Sequence, residues 1–376
     1  MKYKKILVKG AYGSCNFGDD LLMLVVKKIL KTTSLHANIY FACSKQKYIK
    51  QLDDELKIDD SFNSDKYDLI VYGGGTQVFS FPLTKNTNRL AIVAKKIVDL
   101  FKNPERIRGV VKRLLLKKSI DISKPCVGLG LGFGPFQSDE EANRLIHKKL
   151  GNECKLLFVR DNASYSYVKQ SKYDSTLTTD LCFDKNIFEF LPSIKKRQSI
   201  KKVGILLRDW ADNDIESINS EKIDKIVDFF NSKSIEVVFL SFSCQHDINW
   251  RKLLQKKKCN NFLWDPNKMT IFDFLTVFNT FDVMISSRYH GLIFSTLLEI
   301  PFIGVSIEPK IDNYVNNTFF QKFTWHKPFE VENLFATFNL FEENYSKAKI
   351  ETILLKNMHI KLAEMYHLEL KRFFDE

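Results

Sequence analysis

Apolar residues in this chain fall into short continuous runs, separated by longer segments with apolar positions every three or four residues. Ile6-Leu7-Val8, the stretch from Ala37 to Cys43, Leu69-Ile70-Val71-Tyr72, the run from Pro125 to Leu131 and Leu156 to Val159 read as buried strands. A short strand ends at Thr178-Thr179-Asp180. The segments running to Leu30 and onward from Asp139 carry helical spacing. Pro192 and the Lys195-Lys196-Arg197 run have linker composition. The pattern then restarts with strands at Val203–Leu207, Glu236–Phe242, Phe262–Trp264, Asp282–Ile285 and Pro301–Ile307. Helices follow from about Glu221, His246, Thr270 and Leu292. Strands alternating with helices in both halves predict two doubly wound parallel sheets. The expected architecture is α/β, with Rossmann-like domains over 1–192 and 193–376 facing across a cleft, and at least one further helix within 330–376.

In an open α/β sheet, ligands bind beyond the carboxyl ends of the strands. Reading those ends gives the candidate residues. The first strand leads into Gly10, Gly13 and Gly18, with Asn16 and Asp19 just before or within the first turn of a helix. That is the shape of an anion-binding turn. Its glycine spacing is neither the dinucleotide fingerprint nor a P-loop. Asn16 and Asp19 either cap the helix or bond a ligand hydroxyl. Gly73-Gly74-Gly75 close another strand and allow close backbone approach. Arg160 ends a strand and either clamps a substrate or pairs with Asp161. Arg208 ends the first strand after the linker. Ser286-Ser287-Arg288-Tyr289-His290 joins a strand to an apolar helix, so Arg288 and His290 read as an anion-binding and proton-transfer pair. Lys310 follows the next strand. Taken alone, His290 reads more readily as a helix-capping histidine.

The formal charge of +12 points to an acidic substrate, an anionic membrane surface or nucleic acid. No nucleic-acid motif accompanies it. A basic amphipathic segment spans 106–118. It reads either as a solvated helix face or as a contact for anionic lipid, at ~1 kcal/mol per basic residue near the surface. The basic start Met1–Lys5 is followed by only Ile6-Leu7-Val8, short of a signal peptide. No apolar run approaches a membrane span. A cytoplasmic protein able to touch the membrane is expected. The seven cysteines form no C-x-x-C pair, so reduced thiols are expected. No metal-ligand spacing is evident, and no metal is expected.

Several landmarks recur together in order: Asn16-Phe17-Gly18-Asp19-Asp20, Asp68 with Gly73-Gly74-Gly75, Val159-Arg160-Asp161 with Ser164, Thr179-Asp180, Arg208, Ser287-Arg288-Tyr289-His290, and Pro301 to Lys310. In these the chain resembles the polysaccharide pyruvyl transferase family over most of residues 5–315. The resemblance implies a GT-B-like fold and transfer of pyruvate from phosphoenolpyruvate to two hydroxyls of a sugar, giving a cyclic ketal. Phosphoenolpyruvate would be the donor substrate, with no separate cofactor. Acceptors in the family are cell-surface polysaccharides, teichoic-acid-like polymers or glycoprotein glycans. The resemblance gives Arg288 and His290 roles in donor binding and acid catalysis, and implicates Arg208. It implies a tyrosine near Ile307, where this chain departs. Gly13, Asn16, Gly18, Asp19, Gly74, Gly75, Arg160, Ser287 and Lys310 are the remaining candidate substrate-binding residues.

The chemistry suits these residue types. Arginine grips phosphate and carboxylate bidentately. Protonating the donor's methylene carbon needs an acid, and histidine suits that task. The helix dipole should lower the His290 pKa, and a bound anion should raise it again. The basic segment and net charge favour a lipid-linked acceptor at the inner membrane face. A nucleotide-sugar glycosyltransferase on the same fold is the alternative, with Arg288 and Lys310 on a diphosphate. A non-catalytic anion-binding protein is the third reading.

Overall fold

The computed structural model describes residues 3–44, 47–61, 63–80, 124–209 and 219–376. The basic segment at 106–118 lies outside the described residues. The first sheet has seven parallel strands: β1 (Lys5–Lys9), β2 (Asn38–Ala42), β3 (Ile58–Asp59), β4 (Leu69–Val78), β5 (Cys126–Phe133), β6 (Cys154–Val159) and β7 (Thr176–Leu177), in the order β3-β2-β1-β4-β5-β6-β7. The second has six parallel strands: β8 (Lys202–Leu206), β9 (Glu236–Ser241), β10 (Asn261–Leu263), β11 (Val283–Ser286), β12 (Phe302–Val305) and β13 (Thr324–Trp325), in the order β10-β9-β8-β11-β12-β13. The central strands are buried along nearly their whole length. Helices cover both faces of such sheets, which explains the unbroken apolar runs.

In each sheet the chain builds outward one way and then returns to the middle. β4 is laid beside β1, and β11 beside β8. The loops after these strands therefore diverge, leaving a crevice at each reversal. The loop after β1 and the glycines of β4 flank one reversal. Arg208, after β8, and Ser287-Arg288, after β11, flank the other.

Two sequence expectations are corrected. β4 does not stop at Gly73 but runs on to Val78, with Gly74 and Gly75 at positive φ (72° and 75°). Pairing with β5 carries it past the glycines. The seven cysteines are not all thiols: Cys15 and Cys244 form a disulfide across the two halves of the chain. The backbone brings them together, since Phe17 N–H donates to Phe242 O (2.8 Å) and Cys244 N–H to Cys15 O (3.0 Å).

The same junction holds an aromatic plug. Phe17 opens the helix Phe17–Thr33 yet is fully buried against the second half. Its ring centroid lies 5.2 Å from Phe242, 5.0 Å from Trp264, 4.4 Å from Phe274 and 5.2 Å from Phe294. Asp20 adds a polar link, accepting from Trp264 Nε1 (3.1 Å) and from the Tyr48 hydroxyl (3.1 Å). Two helices follow the second sheet, Val331–Glu343 and Tyr345–Asp375. The last crosses back to the first sheet, stacking Phe373 on Tyr3. Among the described residues, no helix is long and apolar enough to cross a membrane.

Candidate active site between the two sheets

The helix Tyr289–Leu297 begins directly beneath the Asn16–Asp20 turn of the first domain. A Cβ placed on Gly18 would overlap the His290 ring, so only glycine lets the turn close over it. His290 is largely buried and stacks on Phe294 (5.9 Å, 18°). Its Nε2 is buried with no hydrogen-bond partner among the described residues, 4.0 Å from Asp180 Oδ2. Burial pushes the His290 pKa down to about 4. Asp180 opposes this, while Arg160, Lys310 and Arg288 reinforce it. The direction is the one expected from the sequence, and desolvation is the largest cause.

Three cations act on this ring, Arg160, Arg288 and Lys310, and Arg208 adjoins the last two. Arg160 is buried, with Nη1 donating to Asp180 (3.2 Å), Nη2 to Thr76 Oγ1 (2.6 Å) and Nε 3.5 Å from Asp161. Its guanidinium lies over the Tyr289 ring at 4.3 Å. Burial works against its charge, but Tyr289, Asp180 and Asp161 outweigh that and hold its pKa above the ordinary value. Arg160 therefore pairs with Asp180 more closely than with its neighbour Asp161. Arg288 is buried, with Nη2 bonded to the fully buried Asp247. Asp247 is itself fixed by Ser241 Oγ (3.0 Å) and Ser243 N–H (3.1 Å). The Arg288 Nε has no hydrogen-bond partner among the described residues.

Arg208 Nη1 and Lys310 Nζ share Glu308 Oε1, at 3.2 and 2.9 Å. Burial depresses the pKa of both cations, and Arg288 adds to the effect on Arg208. Burial would raise the Glu308 pKa, but Lys310 and Arg208 hold it below the ordinary value. Asp19 reaches the same space, donated to by Asn16 Nδ2 (2.8 Å). Burial raises its pKa to about 6, against the pull of Lys310 and Arg288.

The structure therefore gathers Gly18, Asp19, Arg160, Arg208, Arg288, His290 and Lys310 around one space. Other candidates have local jobs. Asn16 Oδ1 accepts from Gly18 N–H (3.3 Å), capping the helix. Gly13 (φ 79°) packs on Cys43, and Gly74 on Leu22 and Leu181. A Cβ on Gly75 would meet open space. Ser287 N–H donates to Leu206 O (2.9 Å), tying β11 to the end of β8. Replacing Gly18 with Ala should displace the His290 ring and lower turnover at least tenfold, with a smaller effect on the urea midpoint. Undiminished turnover would show that the close approach is incidental.

Asp180, Cys182 and His290 also lie within 4.8 Å of one another as potential metal ligands. Asp180 is already committed, Oδ2 to Arg160 and Oδ1 to Cys182 N–H (3.1 Å). Arg160, Arg288 and Lys310 further oppose a metal ion there. The surroundings suit an anion.

A sequence profile of polysaccharide pyruvyl transferases matches residues 16–309. The chain belongs to the polysaccharide pyruvyl transferase family. It is accordingly a transferase. The matched span of this pyruvyl transferase covers every cation except Lys310, one residue beyond its end. No curated protein matches the chain. Solved structures share its architecture. The S. aureus MnaA–UDP co-structure aligns with a TM-score of 0.60 at 10% identity, covering 99% of this chain and 97% of that one. UDP-GlcNAc 2-epimerase from Neisseria meningitidis gives 0.55 at 13% identity, covering 98% and 99%. The Methanocaldococcus jannaschii UDP-GlcNAc 2-epimerase gives 0.51 at 10%, covering 90% and 92%. At such identities the likeness shows the fold alone, a two-domain GT-B-like α/β arrangement.

Sequence reasoning placed Thr179-Asp180 as a landmark without giving Asp180 a role. It gave Thr76 no role and did not name Asp247. Asp247 carries no local signal, because its partner Arg288 is 41 residues away.

Proposed function

We propose that this pyruvyl transferase uses phosphoenolpyruvate as donor and forms a cyclic pyruvate ketal on a sugar of a cell-surface polysaccharide precursor. The observation that carries this is the convergence of Arg160, Arg288 and Lys310 on a buried, unpartnered histidine nitrogen, with Arg208 adjoining Arg288 and Lys310. Phosphoenolpyruvate brings a phosphate and a carboxylate, and this set offers a partner for each. Arg288, Arg208 and Lys310 hold the donor from the second domain, and Arg160 from the first. The donor's negative charge offsets these cations and raises the His290 pKa, charging the acid where it is needed.

His290 Nε2–H then protonates the methylene carbon, turning CH2 into CH3 and leaving positive charge at C2. One acceptor hydroxyl attacks C2, and its proton passes to Asp19, whose raised pKa suits a base. The C2–O bond to phosphate breaks, and the second hydroxyl attacks the same carbon, its proton passing to the departing phosphate while the proton held by Asp19 replaces the one His290 gave up. The products are the ketal and hydrogen phosphate, so atoms and charge balance. No cofactor takes part. The +12 charge and the basic segment at 106–118 support a lipid-linked acceptor met at the inner membrane face.

The test incubates the protein with phosphoenolpyruvate and a panel of lipid-linked and water-soluble oligosaccharides, read by mass spectrometry and phosphate release. A product heavier by one pyruvyl ketal, formed with stoichiometric phosphate, is expected. A hexose-sized increment from a nucleotide sugar, with no phosphoenolpyruvate-dependent product, would overturn the reading.

A further inference from the structure

The helix Tyr345–Asp375 lies wholly beyond the family match, yet it reaches the centre of the molecule. Its first turns rest on the second domain. The Tyr345 hydroxyl donates to Asp282 O (3.1 Å), and Lys356 pairs with Glu299 (2.9 Å). Its later turns rest on the first domain and converge on one short segment, Thr178 to Asp184. His359 is sandwiched between the Phe183 ring (4.5 Å, 17°) and the Tyr314 ring (5.4 Å, 6°). From there its Nδ1 lies 2.7 Å from Thr179 Oγ1. The Tyr366 hydroxyl contacts Thr178 Oγ1 (2.8 Å) and donates to the Thr179 carbonyl. It reaches them past Gly130, where a Cβ would stand 2.8 Å from the hydroxyl oxygen. His367 Nε2 lies 2.7 Å from Asp184 Oδ2.

These contacts hold the chain just before Asp180, at Thr178 and Thr179, and again at Phe183 and Asp184 beyond it. β7 cannot do so alone, since it is two residues long at the sheet edge. Asp180 is the carboxylate that pairs with Arg160 and faces His290. We propose that the last helix is part of the active site, with His359, Tyr366 and His367 acting as positioning residues that set Asp180 against Arg160 and His290. The placement of the helix is independent of the chemistry proposed above; only the catalytic meaning of Arg160 and His290 rests on that reading. The link is physical: a shift of the 178–184 segment moves the one carboxylate that opposes the effect of Arg160, Lys310 and Arg288 on the His290 ring.

The test uses the full chain labelled with isotopic histidine, and needs neither donor nor acceptor. Side-chain spectra of the wild type, Tyr366→Phe, His359→Leu and His359→Asn are compared, with His290→Gln assigning the signal and Asp180→Asn as reference. Asparagine can return an acceptor oxygen near the position of Nδ1, whereas leucine cannot. The His290 signals should move in Tyr366→Phe and His359→Leu in the direction seen for Asp180→Asn. His359→Asn should bring them most of the way back. Where pyruvyl transfer is measurable, turnover should fall about tenfold in the first two variants and recover in the third. His290 signals unmoved in both Tyr366→Phe and His359→Leu, with Asp180→Asn moving them, would overturn the inference, as would turnover falling only with the folded fraction. A wild type inactive with phosphoenolpyruvate but showing the expected signal movements would sink the functional reading and leave this one standing.

Discussion

His290→Ala is expected to abolish pyruvyl transfer while leaving the unfolding transition close to that of the wild type. The ring's Nε2 makes no hydrogen bond among the described residues, so its removal breaks none there. What is lost is its contact with Phe294 and with the Gly18 turn. A positioned general acid contributes about 100- to 10,000-fold, and the variant should fall by at least the lower figure. The pH dependence adds a second check. In the free protein His290 titrates at about 4, well below its ordinary range. An acid must be protonated, so rate falls as pH rises through its pKa. That fall should begin at low pH in kcat/KM for the donor, which reports the free protein. It should begin at higher pH in kcat, which reports the charged complex. Coincident limbs, or near-normal turnover in the alanine variant, would remove His290 as the acid. The same depressed pKa bears on stability. His290 and His359, both held near 4 by burial, contribute stability that is present above 6.5 and is lost as pH falls toward 4.

Asp180→Asn should be the more damaging change to the fold. Asp180 and Arg160 are both almost fully buried, and removing one member of such a pair leaves the other charge uncompensated. Breaking buried pairs typically costs about 3–5 kcal/mol. Asp161, 3.5 Å from Arg160 Nε, offsets part of this, placing the expectation near 3 kcal/mol. Urea unfolding would measure it, and a loss below about 1 kcal/mol would mean that Asp161 alone suffices. Turnover should fall as well. Replacing both partners together, as in Arg160→Met with Asp180→Leu, should recover much of the stability but none of the activity. That result would separate the fold's need for neutrality from the site's need for charge.

The legible part of this chain was the part written in local pattern. Continuous apolar runs announced the parallel strands, and residues just past their ends announced Arg160, Arg208, Arg288 and His290. Partnerships made through space were not legible. Asp247 reaches Arg288 from another loop, and Asp180, three residues past β7, meets Arg160 across 20 residues of chain. Gly73-Gly74-Gly75 looked like a strand terminus because glycine usually interrupts strands. Pairing with β5 overrode that preference. Phe17 stood only within the Asn16–Asp20 landmark, with no sign of its partners in the second half. Cys15 and Cys244 looked unrelated because 229 residues separate them.

Phe17 also bears on how such proteins can be recombined. Its ring belongs to the first domain, but the socket that receives it (Phe242, Trp264, Phe274 and Phe294) belongs to the second. The two halves are therefore matched like a key and its lock. A chimera joining this first half to another second half must supply a socket that accepts the Phe17 ring. Exchanging the Asn16–Asp20 turn between such chains then requires exchanging the socket residues with it.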